Sequence, residues 1–217
     1  MTPFPCVLFA KAPVPGQVKT RLCPPLTPAE AAAVAWALTQ DAAGLVQSSR
    51  RLELVMAYSP DTEAPFFGEK FPGIRLLPQG EGDLGLRLDS AFSRVLLPGV
   101  PGALVLGSDH PTLRVETLEL MLDALEKHDL CLLPTEDGGY AALGLRRLQP
   151  ALFQGIPWSS PHVLSETLRK AESQNLSSHV LDPIYDLDRP EDLARLRGGR
   201  WGGSSYPGPA LRGLLRV

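Results

Sequence analysis

The sequence predicts an α/β protein with a mainly parallel central sheet and helices on both faces. Short apolar runs rich in Leu and Val alternate with longer segments in which apolar residues have helical spacing. Such uninterrupted apolar runs are typical of strands buried on both faces, which is the arrangement of parallel sheets. A chain of 217 residues, 44% of them hydrophobic, is long enough for one domain with a sizeable core.

The first half of the chain contains a regular series of predicted strands and helices. The strands are the apolar runs at residues 5–10, 52–59 and 74–77. Thr27 and Glu30 have the spacing of a capping box, and Pro28 stands at the first helical position, so a helix should extend from there to about residue 47. Apolar residues recur at helical spacing over 84–96, which predicts the next helix.

The second half repeats this alternation and then ends in a segment of different composition. Strands are predicted at residues 103–106, 130–133 and 140–145, and helices around residues 118–125, 164–171 and 190–196. From Gly198 onward Gly, Pro, Ser and Arg dominate. We therefore expect a single domain at residues 1–197 and a tail at 198–217 that is flexible or docked on a neighbouring surface.

Charge and cysteine content exclude several classes of protein. The net charge of −3 gives no general attraction to nucleic acid. No apolar run approaches the roughly 18 residues that a membrane span requires. The three cysteines, Cys6, Cys23 and Cys131, lack zinc-type spacing and argue against a disulfide framework. We expect a cytoplasmic protein with no nucleic-acid partner and no membrane span.

A basic loop directly follows the first predicted strand. It contains Lys11, Lys19 and Arg21, and no acid occurs before Glu30. Glycine and proline restrict the shape of such a loop, so its cations and the backbone amides near Gly16 can hold an anion. The alternative is a solvated loop whose lysines touch nothing. The loop has neither the Walker spacing nor a Gly-x-Gly-x-x-Gly pattern, and it predicts a phosphate-bearing substrate.

An acid at the end of the fourth predicted strand indicates a metal site. Asp109 could hold Mg²⁺ or Mn²⁺ against phosphate oxygens, or it could cap the helix that begins near Thr112. The metal needs a second acid, for which Asp186 and Asp188 are candidates. Asp188 also has the spacing of an N-cap residue, with Glu191 three residues further on.

Two further loops contain candidate residues. Glu136 and Asp137 precede a glycine pair, and acids beside a phosphate site are costly unless they bind a cation or substrate hydroxyls. The alternative for them is a simple turn between strands. The glycine-rich segment 79–87 would let the backbone approach a base or ribose, and is otherwise a helix-entry loop. His110, next to Asp109, is assigned a supporting or structural role.

Six strings, taken together and in order, resemble a known family. They are FAKAPVPGQVKTRL, PQGEGDLGLRLDSAF, LGSDHPTL, TEDGGYAALGL, FQGIPWSSPHVL and YDLDRPEDL, and the resemblance covers about residues 4–197. The chain resembles the transferase family that is often encoded near radical-SAM or selenodomain proteins. That family adopts the glycosyltransferase-A, or nucleotide-diphospho-sugar transferase, fold. The chain is more distantly similar to phospholactate guanylyltransferases and to molybdenum-cofactor nucleotidyltransferases.

The resemblance implies a nucleotide-binding half at the N-terminus and an acceptor-binding half at the C-terminus. The implied phosphate-binding residues are Lys11, Gly16, Lys19 and Arg21, and the implied base-binding residues are Gly82, Gly85 and Arg87. Asp109 and Asp188 are the implied ligands of Mg²⁺ or Mn²⁺, which favours Asp188 over Asp186. The chain departs from the family pattern at His110 and at residues 141–142, which affects the acceptor pocket more than the metal site.

Our hypothesis from the sequence is a metal-dependent transferase that takes a nucleotide-diphosphate sugar as donor and a small molecule as acceptor. Lys19 and Arg21 would neutralise phosphate charge on one wall of the site, opposite the metal-binding acids. Asp137 would orient or deprotonate the acceptor hydroxyl. The alternatives are a nucleotidyltransferase that releases pyrophosphate from a nucleoside triphosphate, and a non-catalytic sensor of nucleotides or nucleotide sugars.

Overall fold

A computed structural model describes residues 2–197 and 208–215 of the chain. Its strands are β1 (Phe4–Lys11), β2 (Leu52–Ser59), β3 (Arg75–Pro78), β4 (Ala103–Gly107), β5 (Leu130–Pro134), β6 (Tyr140–Leu145) and β7 (Ser178–Val180). Its helices are α1 (Pro28–Ser48), α2 (Ala64–Lys70), α3 (Leu84–Val95), α4 (Val115–Leu125), α5 (Val163–Ser173), α6 (Pro190–Arg197) and α7 (Pro209–Leu215). Within these described ranges, no helix combines the length and the apolar character that crossing a membrane demands.

The strands form one sheet in the order β3-β2-β1-β4-β6-β5-β7. β1 is parallel to β2 and β4, and β2 is parallel to β3, so Val7 lies beside both Val55 and Val105. β6 is antiparallel to its neighbours β4 and β5, whereas β7 is parallel to β5. The sheet is therefore mainly parallel, as predicted, and the carboxyl ends of β1 to β4 lie at one edge.

Both faces of the sheet are buried, which explains the uninterrupted apolar runs. Cys6 and Leu8 of β1 belong to a core that includes residues of α1 and α4. Val7, between them, points to the other face and belongs to a core that includes residues of α3 and α5. Burying a leucine side chain in such a core is worth roughly 1.5–3 kcal/mol relative to leaving it exposed.

A third apolar cluster ties the loop after β1 to the last helices of the described chain. Leu22 and Leu187 are fully buried in it, together with residues of α1, α6 and α7. Leu22 ends a short 3-10 turn, Thr20–Leu22, that follows the basic loop. Leu187 directly precedes Asp188. The cluster therefore anchors two segments that contain predicted site residues.

The predicted capping box at the start of α1 is present. The Thr27 backbone N–H donates to Glu30 Oε2 over 2.8 Å, and the Glu30 backbone N–H donates to Thr27 Oγ1 over 3.3 Å. Pro28 stands at the first helical position. Because these contacts satisfy N–H groups that have no partner inside the helix, they determine where α1 begins.

Within residues 1–197, the sequence prediction lacks two of the helices and strands given above, α2 and β7. In α2 the buried Phe67 packs edge-on against Trp36 of α1, with ring centroids 6.4 Å apart. The residues of β7 are all exposed, and the strand pairs with β5 at the edge of the sheet. Both elements are too short for a periodic pattern, so tertiary contacts rather than local propensity form them.

The tail predicted at 198–217 is only partly described. Residues 198–207 and 216–217 lie outside the described residues, so the boundary between domain and tail stays a prediction. Residues 208–215 contain α7, which packs against α1. Asp41 of α1 accepts hydrogen bonds from the backbone N–H of Ala210 over 2.9 Å and of Leu211 over 3.0 Å. A carboxylate from α1 therefore caps the first turn of α7.

We expect Asp41→Ala to lower the free energy of unfolding by about 1 kcal/mol, because two N–H groups at the start of α7 lose their acceptor. Urea unfolding followed by circular dichroism measures the change. Gln47→Ala, at an exposed position on the same helix, is the matched control and should leave stability nearly unchanged. Equal stability of the two variants would contradict the docking of α7 through Asp41.

Candidate functional site

A cleft of about 770 Å³ lies at the edge of the sheet where β1 and β4 end. Its walls are the basic loop after β1, the glycine-rich segment after β3, the loop after β4, and residues 186–188. The predicted site residues that line the cleft are Lys11, Lys19, Arg21, Gly82, Arg87, Asp109 and Asp188. These loops meet because parallel strands end at the same edge, and a crevice at this edge is the usual ligand site of such sheets.

The backbone holds Lys19 at the end of the basic loop. Lys19 has a left-handed conformation with φ of 48°, and its carbonyl accepts from the Leu22 N–H over 2.9 Å. Because Leu22 is fully buried, this turn is anchored in the third apolar cluster. The Lys19 side chain lines the cleft and is only 5% exposed. The conformation of the loop thus withdraws a cation from water.

The Lys19 ammonium lies between two carboxylates. Its Nζ is 2.7 Å from Asp109 Oδ1 and 2.7 Å from Asp188 Oδ1. We call these three residues the Lys19 triad. The sequence hypothesis set Lys19 on the wall opposite the acids, whereas the structure brings it into contact with them. A nearly buried ammonium needs charged acceptors, and the two carboxylates supply them.

The charged groups of the Lys19 triad shift one another's pKa values. Burial favours the neutral form of Lys19, but the two carboxylates outweigh this effect and raise the pKa of Lys19 above its usual value. Desolvation also acts to raise the pKa of Asp109, and the Lys19 ammonium outweighs it, so the pKa of Asp109 lies below its usual value. Lys19 and Asp109 are therefore both charged at neutral pH.

Arg21 and Lys11 are the more accessible cations of the cleft. Arg21 Nη1 is 3.7 Å from Asp188 Oδ2, and 69% of the Arg21 side chain is exposed. Lys11 is exposed at the end of β1. Both line the cleft with charged groups that reach solvent, so they are available to an incoming anion.

His110 and Asp186 join the two segments that contain the acids of the Lys19 triad. His110 Nδ1 is 2.9 Å from Asp186 Oδ1, and the His110 side chain is 7% exposed. The Leu187 N–H also donates to the Asp109 carbonyl over 2.9 Å. The Leu187 hydrogen bond holds residues 186–188 against the loop after β4, and His110 and Asp186 lie in contact beside it. Asp186 thus faces His110, and Asp188 is the acid that reaches Lys19.

The three predicted glycines lie in different surroundings. Gly82 lines the cleft, and its carbonyl accepts from Arg87 Nε over 3.2 Å, so this arginine fastens the glycine-rich segment to α3. A Cβ at Gly85 would lie 2.7 Å from Trp158 Nε1, so Gly85 permits close packing of α3 there. Gly16 is exposed, with a φ of 80° that favours glycine. Gly16 and Gly85 are not among the residues that line the cleft.

Asp137 shapes the turn between β5 and β6. Its Oδ1 accepts from Thr135 Oγ1 over 2.6 Å and from the Gly139 N–H over 3.1 Å. Between these partners Gly138 has a φ of 90°. Asp137 is not among the residues that line the cleft, and its catalytic role stays a prediction. The structure shows Asp137 in a turn between strands, which was the alternative interpretation of Glu136 and Asp137.

Gln79 lines the cleft, and although it belongs to the glycine-rich segment 79–87, the sequence predicted no role for its side chain. Its Nε2 donates to the carbonyls of Ala10 over 3.1 Å and of Ala57 over 2.8 Å, and the residue is only 7% exposed. One signal for its burial is its position two residues after the apolar Leu77. Residues at that spacing in a strand point to the same face, and Leu77 is buried. Tyr140 and Ser159 also line the cleft without having been predicted to do so.

Asp109 and Asp188 have the chemistry of divalent-cation ligands. Their Oδ1 atoms converge, since both contact the same Lys19 nitrogen. Mg²⁺ is usually held by one or two carboxylates together with substrate phosphates, and Mn²⁺ also accepts such oxygen ligands. In the described part of the chain no group of three or more His, Cys, Asp or Glu is placed to hold a metal. The pair therefore fits a cation that takes its other ligands from substrate and water.

We expect Asp109→Asn to reduce the acid dependence of stability. The pKa of Asp109 is lower in the folded protein than in the unfolded chain, so its contribution is present above about pH 4 and is lost as the pH falls through the folded pKa. The stability advantage of wild type over Asp109→Asn should thus be larger at about pH 7 than at about pH 3. Urea unfolding at both pH values measures it.

Asp182→Asn, at an exposed position, is the control and should show no such pH-dependent difference from wild type. A stability gap for Asp109→Asn that stays constant between the two pH values would show that the ion pair with Lys19 does not act on folding.

The chain is similar to two curated relatives over most of its length. It is 27% identical over 182 residues to 2-phospho-L-lactate guanylyltransferase of Methanothermobacter thermautotrophicus, across 82% of this chain and 78% of the relative. It is 28% identical over 187 residues to phosphoenolpyruvate guanylyltransferase of Sphaerobacter thermophilus, across 83% of this chain and 86% of the relative. The distant similarity to phospholactate guanylyltransferases is thereby confirmed.

A solved structure confirms the fold. The crystal structure described as a "putative nucleotide-diphospho-sugar transferase" from Desulfovibrio desulfuricans G20 superposes with a TM-score of 0.88 at 26% identity, covering 100% of this chain and 95% of that one. Residues 31–160, more than half of the chain, match the family described as "Uncharacterized protein conserved in bacteria (DUF2064)". The chain therefore belongs to the DUF2064 family.

Proposed function

We propose that this protein is a guanylyltransferase, which transfers GMP from GTP to the phosphate of a small phosphorylated carboxylic acid. The observation that carries the proposal is the Lys19 triad in a cleft with two accessible cations, in a chain that aligns over 82% and 83% of its length with two guanylyltransferases. The names of these relatives specify 2-phospho-L-lactate and phosphoenolpyruvate as acceptors. Both are phosphorylated carboxylic acids, and hence this acceptor class is proposed.

In the proposed reaction one bond forms and one breaks. An oxygen of the acceptor phosphate attacks the α-phosphorus of GTP, and the bond from that phosphorus to the oxygen bridging to the β-phosphorus breaks. Pyrophosphate leaves with the electron pair of that bond. Negative charge builds up on the leaving oxygens, so positive groups positioned near them lower the barrier.

The accessible cations are suited to the triphosphate. Arg21 and Lys11 line the cleft with exposed charged groups, and neither is locked between acids as Lys19 is. An arginine presents several N–H donors in a fixed fork that matches phosphate oxygens. These two residues would bind and orient the phosphate chain, and Arg21 would do so next to Asp188.

Asp109 and Asp188 would hold Mg²⁺ or Mn²⁺. When bound, such an ion supplies charge neutralisation at the phosphates. Lys19 serves this site by keeping the two carboxylates together against their mutual repulsion, with Nζ 2.7 Å from each. Because one lysine offsets only one of two carboxylates, the triad itself has a net negative charge, which the exposed Arg21, 3.7 Å from Asp188 Oδ2, offsets only in part.

The relatives favour nucleotidyl transfer over the glycosyl transfer preferred from the sequence. The contacts of Asp137 support the same choice. Glycosyl transfer to a hydroxyl needs a base, the role predicted for Asp137, whereas an acceptor phosphate is already ionised at neutral pH. The Asp137 carboxylate accepts two hydrogen bonds within its own turn. The cytoplasmic location and the association with radical-SAM or selenodomain proteins stay predictions.

We expect the purified protein to release pyrophosphate from GTP when Mg²⁺ and 2-phospholactate or phosphoenolpyruvate are present. A coupled pyrophosphatase assay follows the release, and mass spectrometry identifies the second product. Lys19→Met should lower the rate about tenfold to a hundredfold, because the Asp109 and Asp188 carboxylates lose the ammonium that holds them together. Asp137→Asn, an acid outside the cleft lining, is the control and should retain most activity.

Other products would point to the other hypotheses. Release of a nucleoside diphosphate from a nucleotide sugar, together with loss of activity in a folded Asp137→Asn variant, would support glycosyl transfer. Metal-dependent nucleotide binding without any turnover would support the sensor.

We expect Asp109→Asn and Asp188→Asn each to weaken Mn²⁺ binding in the presence of GTP by at least about tenfold, since each removes a carboxylate of the proposed site. Electron paramagnetic resonance of free Mn²⁺ measures the affinity. Asp182→Asn removes an exposed acid from the segment before Asp188 and should leave the affinity unchanged. Equal affinities for all of these variants would remove Asp109 and Asp188 from the metal site.

A further inference from the structure

We propose that the carboxamide oxygen of Gln79 accepts a hydrogen bond from the N1–H edge of guanine and thereby selects GTP over ATP. The inference rests on the proposed function, which it deepens by assigning a residue to base selection. It starts from a polar side chain that is almost completely withdrawn from water and yet lines the cleft.

Gln79 is held by three hydrogen bonds to neighbouring strands. Its backbone N–H donates to the Tyr58 carbonyl over 3.0 Å, which continues the pairing of β3 with β2. Its side-chain Nε2 donates to the Ala57 carbonyl over 2.8 Å and to the Ala10 carbonyl over 3.1 Å. The side chain therefore reaches from the end of β3 across β2 to β1 and cannot reorient without losing these bonds.

These partners determine which way the amide points. Both partners of the amide are carbonyl oxygens, which can only accept a hydrogen bond. The NH₂ group must face them, and both of its protons are used. The remaining polar atom is Oε1, which can only accept a hydrogen bond. Because Gln79 is 7% exposed and lines the cleft, the part of it that a ligand can reach faces the cleft.

The surroundings of Gln79 suit a base rather than a phosphate. The next wall of the cleft consists of Gly82 and the apolar side chains of Leu84 and Leu88. Leu84 is 41% exposed, an apolar surface on which the flat face of a purine can lie. Of the two accessible cations, Lys11 ends β1 next to Ala10, whereas Arg21 belongs to the loop after β1, beside Asp188. A fixed acceptor oxygen at Gln79 would repel phosphate oxygens, so the phosphates are expected at the Arg21 loop. A nucleotide with its phosphates at that loop would place its base toward Gln79.

A fixed acceptor distinguishes the two purines. Guanine presents N1–H as a donor with its 2-amino group beside it, whereas adenine presents a lone pair at N1. The Gln79 oxygen would bond the first and repel the second. A site built around a hydrogen-bonding group rejects a ligand that leaves it unpaired, and an unsatisfied buried acceptor costs about a factor of ten or more in affinity.

Isothermal titration with GTP and with ATP, in Mg²⁺ and without acceptor, tests the proposal. We expect wild type to bind GTP at least about tenfold more tightly than ATP. In Gln79→Met the affinity for GTP should fall about tenfold while that for ATP changes little, so the preference disappears. Gln17→Met is the matched control: Gln17 also lines the cleft, but it is exposed and lies in the basic loop, so the GTP preference should persist.

The comparison of two nucleotides separates recognition from folding. Gln79→Met leaves the carbonyls of Ala10 and Ala57 without these donors. Any resulting loss of folded protein lowers the apparent affinities for GTP and for ATP by the same factor. Equal losses for GTP and ATP would therefore overturn the inference and leave Gln79 a structural residue. A wild type that binds ATP as tightly as GTP would also overturn it.

A measurement on the wild type alone gives a second test. GTP methylated at N1 lacks the donor and should bind at least about tenfold more weakly than GTP, whereas 7-deaza-GTP retains the N1 edge and should bind like GTP. Tight binding of the N1-methylated nucleotide would overturn the inference while leaving guanylyl transfer intact. A wild type that binds no nucleotide at all would overturn the proposed function and this inference with it.

Discussion

A single ammonium group joins three segments that are far apart in the chain. The Lys19 nitrogen contacts Asp109, which follows β4, and Asp188, which precedes α6, each over 2.7 Å. The lysine side chain is only 5% exposed, so an unpaired charge there would be costly, whereas the carboxylates of Asp109 and Asp188 are 47% and 41% exposed and remain open to a ligand. The Lys19 triad is therefore both a constraint on folding and the electrostatic centre of the cleft.

The apolar core makes this arrangement possible. Leu22 and Leu187 are fully buried in one cluster, so hydrophobic packing holds together the segments that contain Lys19 and Asp188. The hydrogen bond from Leu187 to the Asp109 carbonyl adds the third segment. Because packing already orders these charged groups, ligand binding does not have the entropic cost of ordering them. This preorganisation supports a catalytic rather than a merely binding role.

The sequence contained enough information for the layers of the fold and for most walls of the cleft. Apolar runs predict strands, and strand ends predict where loops such as those with Asp109 and Arg21 meet. It did not contain the direction of individual side chains. The left-handed backbone at Lys19 turns this residue toward the acids, and such a conformation has no signal in a non-glycine residue. Gly85 packs beside Trp158 and is not among the residues that line the cleft, so its role at the base stays a prediction.

Several polar side chains near the cleft donate hydrogen bonds to backbone carbonyls and also have polar atoms that a ligand could contact. Gln79 supplies donors to the carbonyls of Ala10 and Ala57, and Arg87 supplies one to Gly82. Strand ends near a crevice leave carbonyls unpaired, and long polar side chains that reach them acquire a fixed orientation in return. In the proposed base recognition, the bonds that stabilise the fold also fix the carboxamide oxygen of Gln79 for the ligand. Stability and specificity are thus coupled at this residue, and a loss of activity in a single variant cannot assign its role. Only a comparison of ligands on the same variant isolates the part of the side chain that faces the cleft.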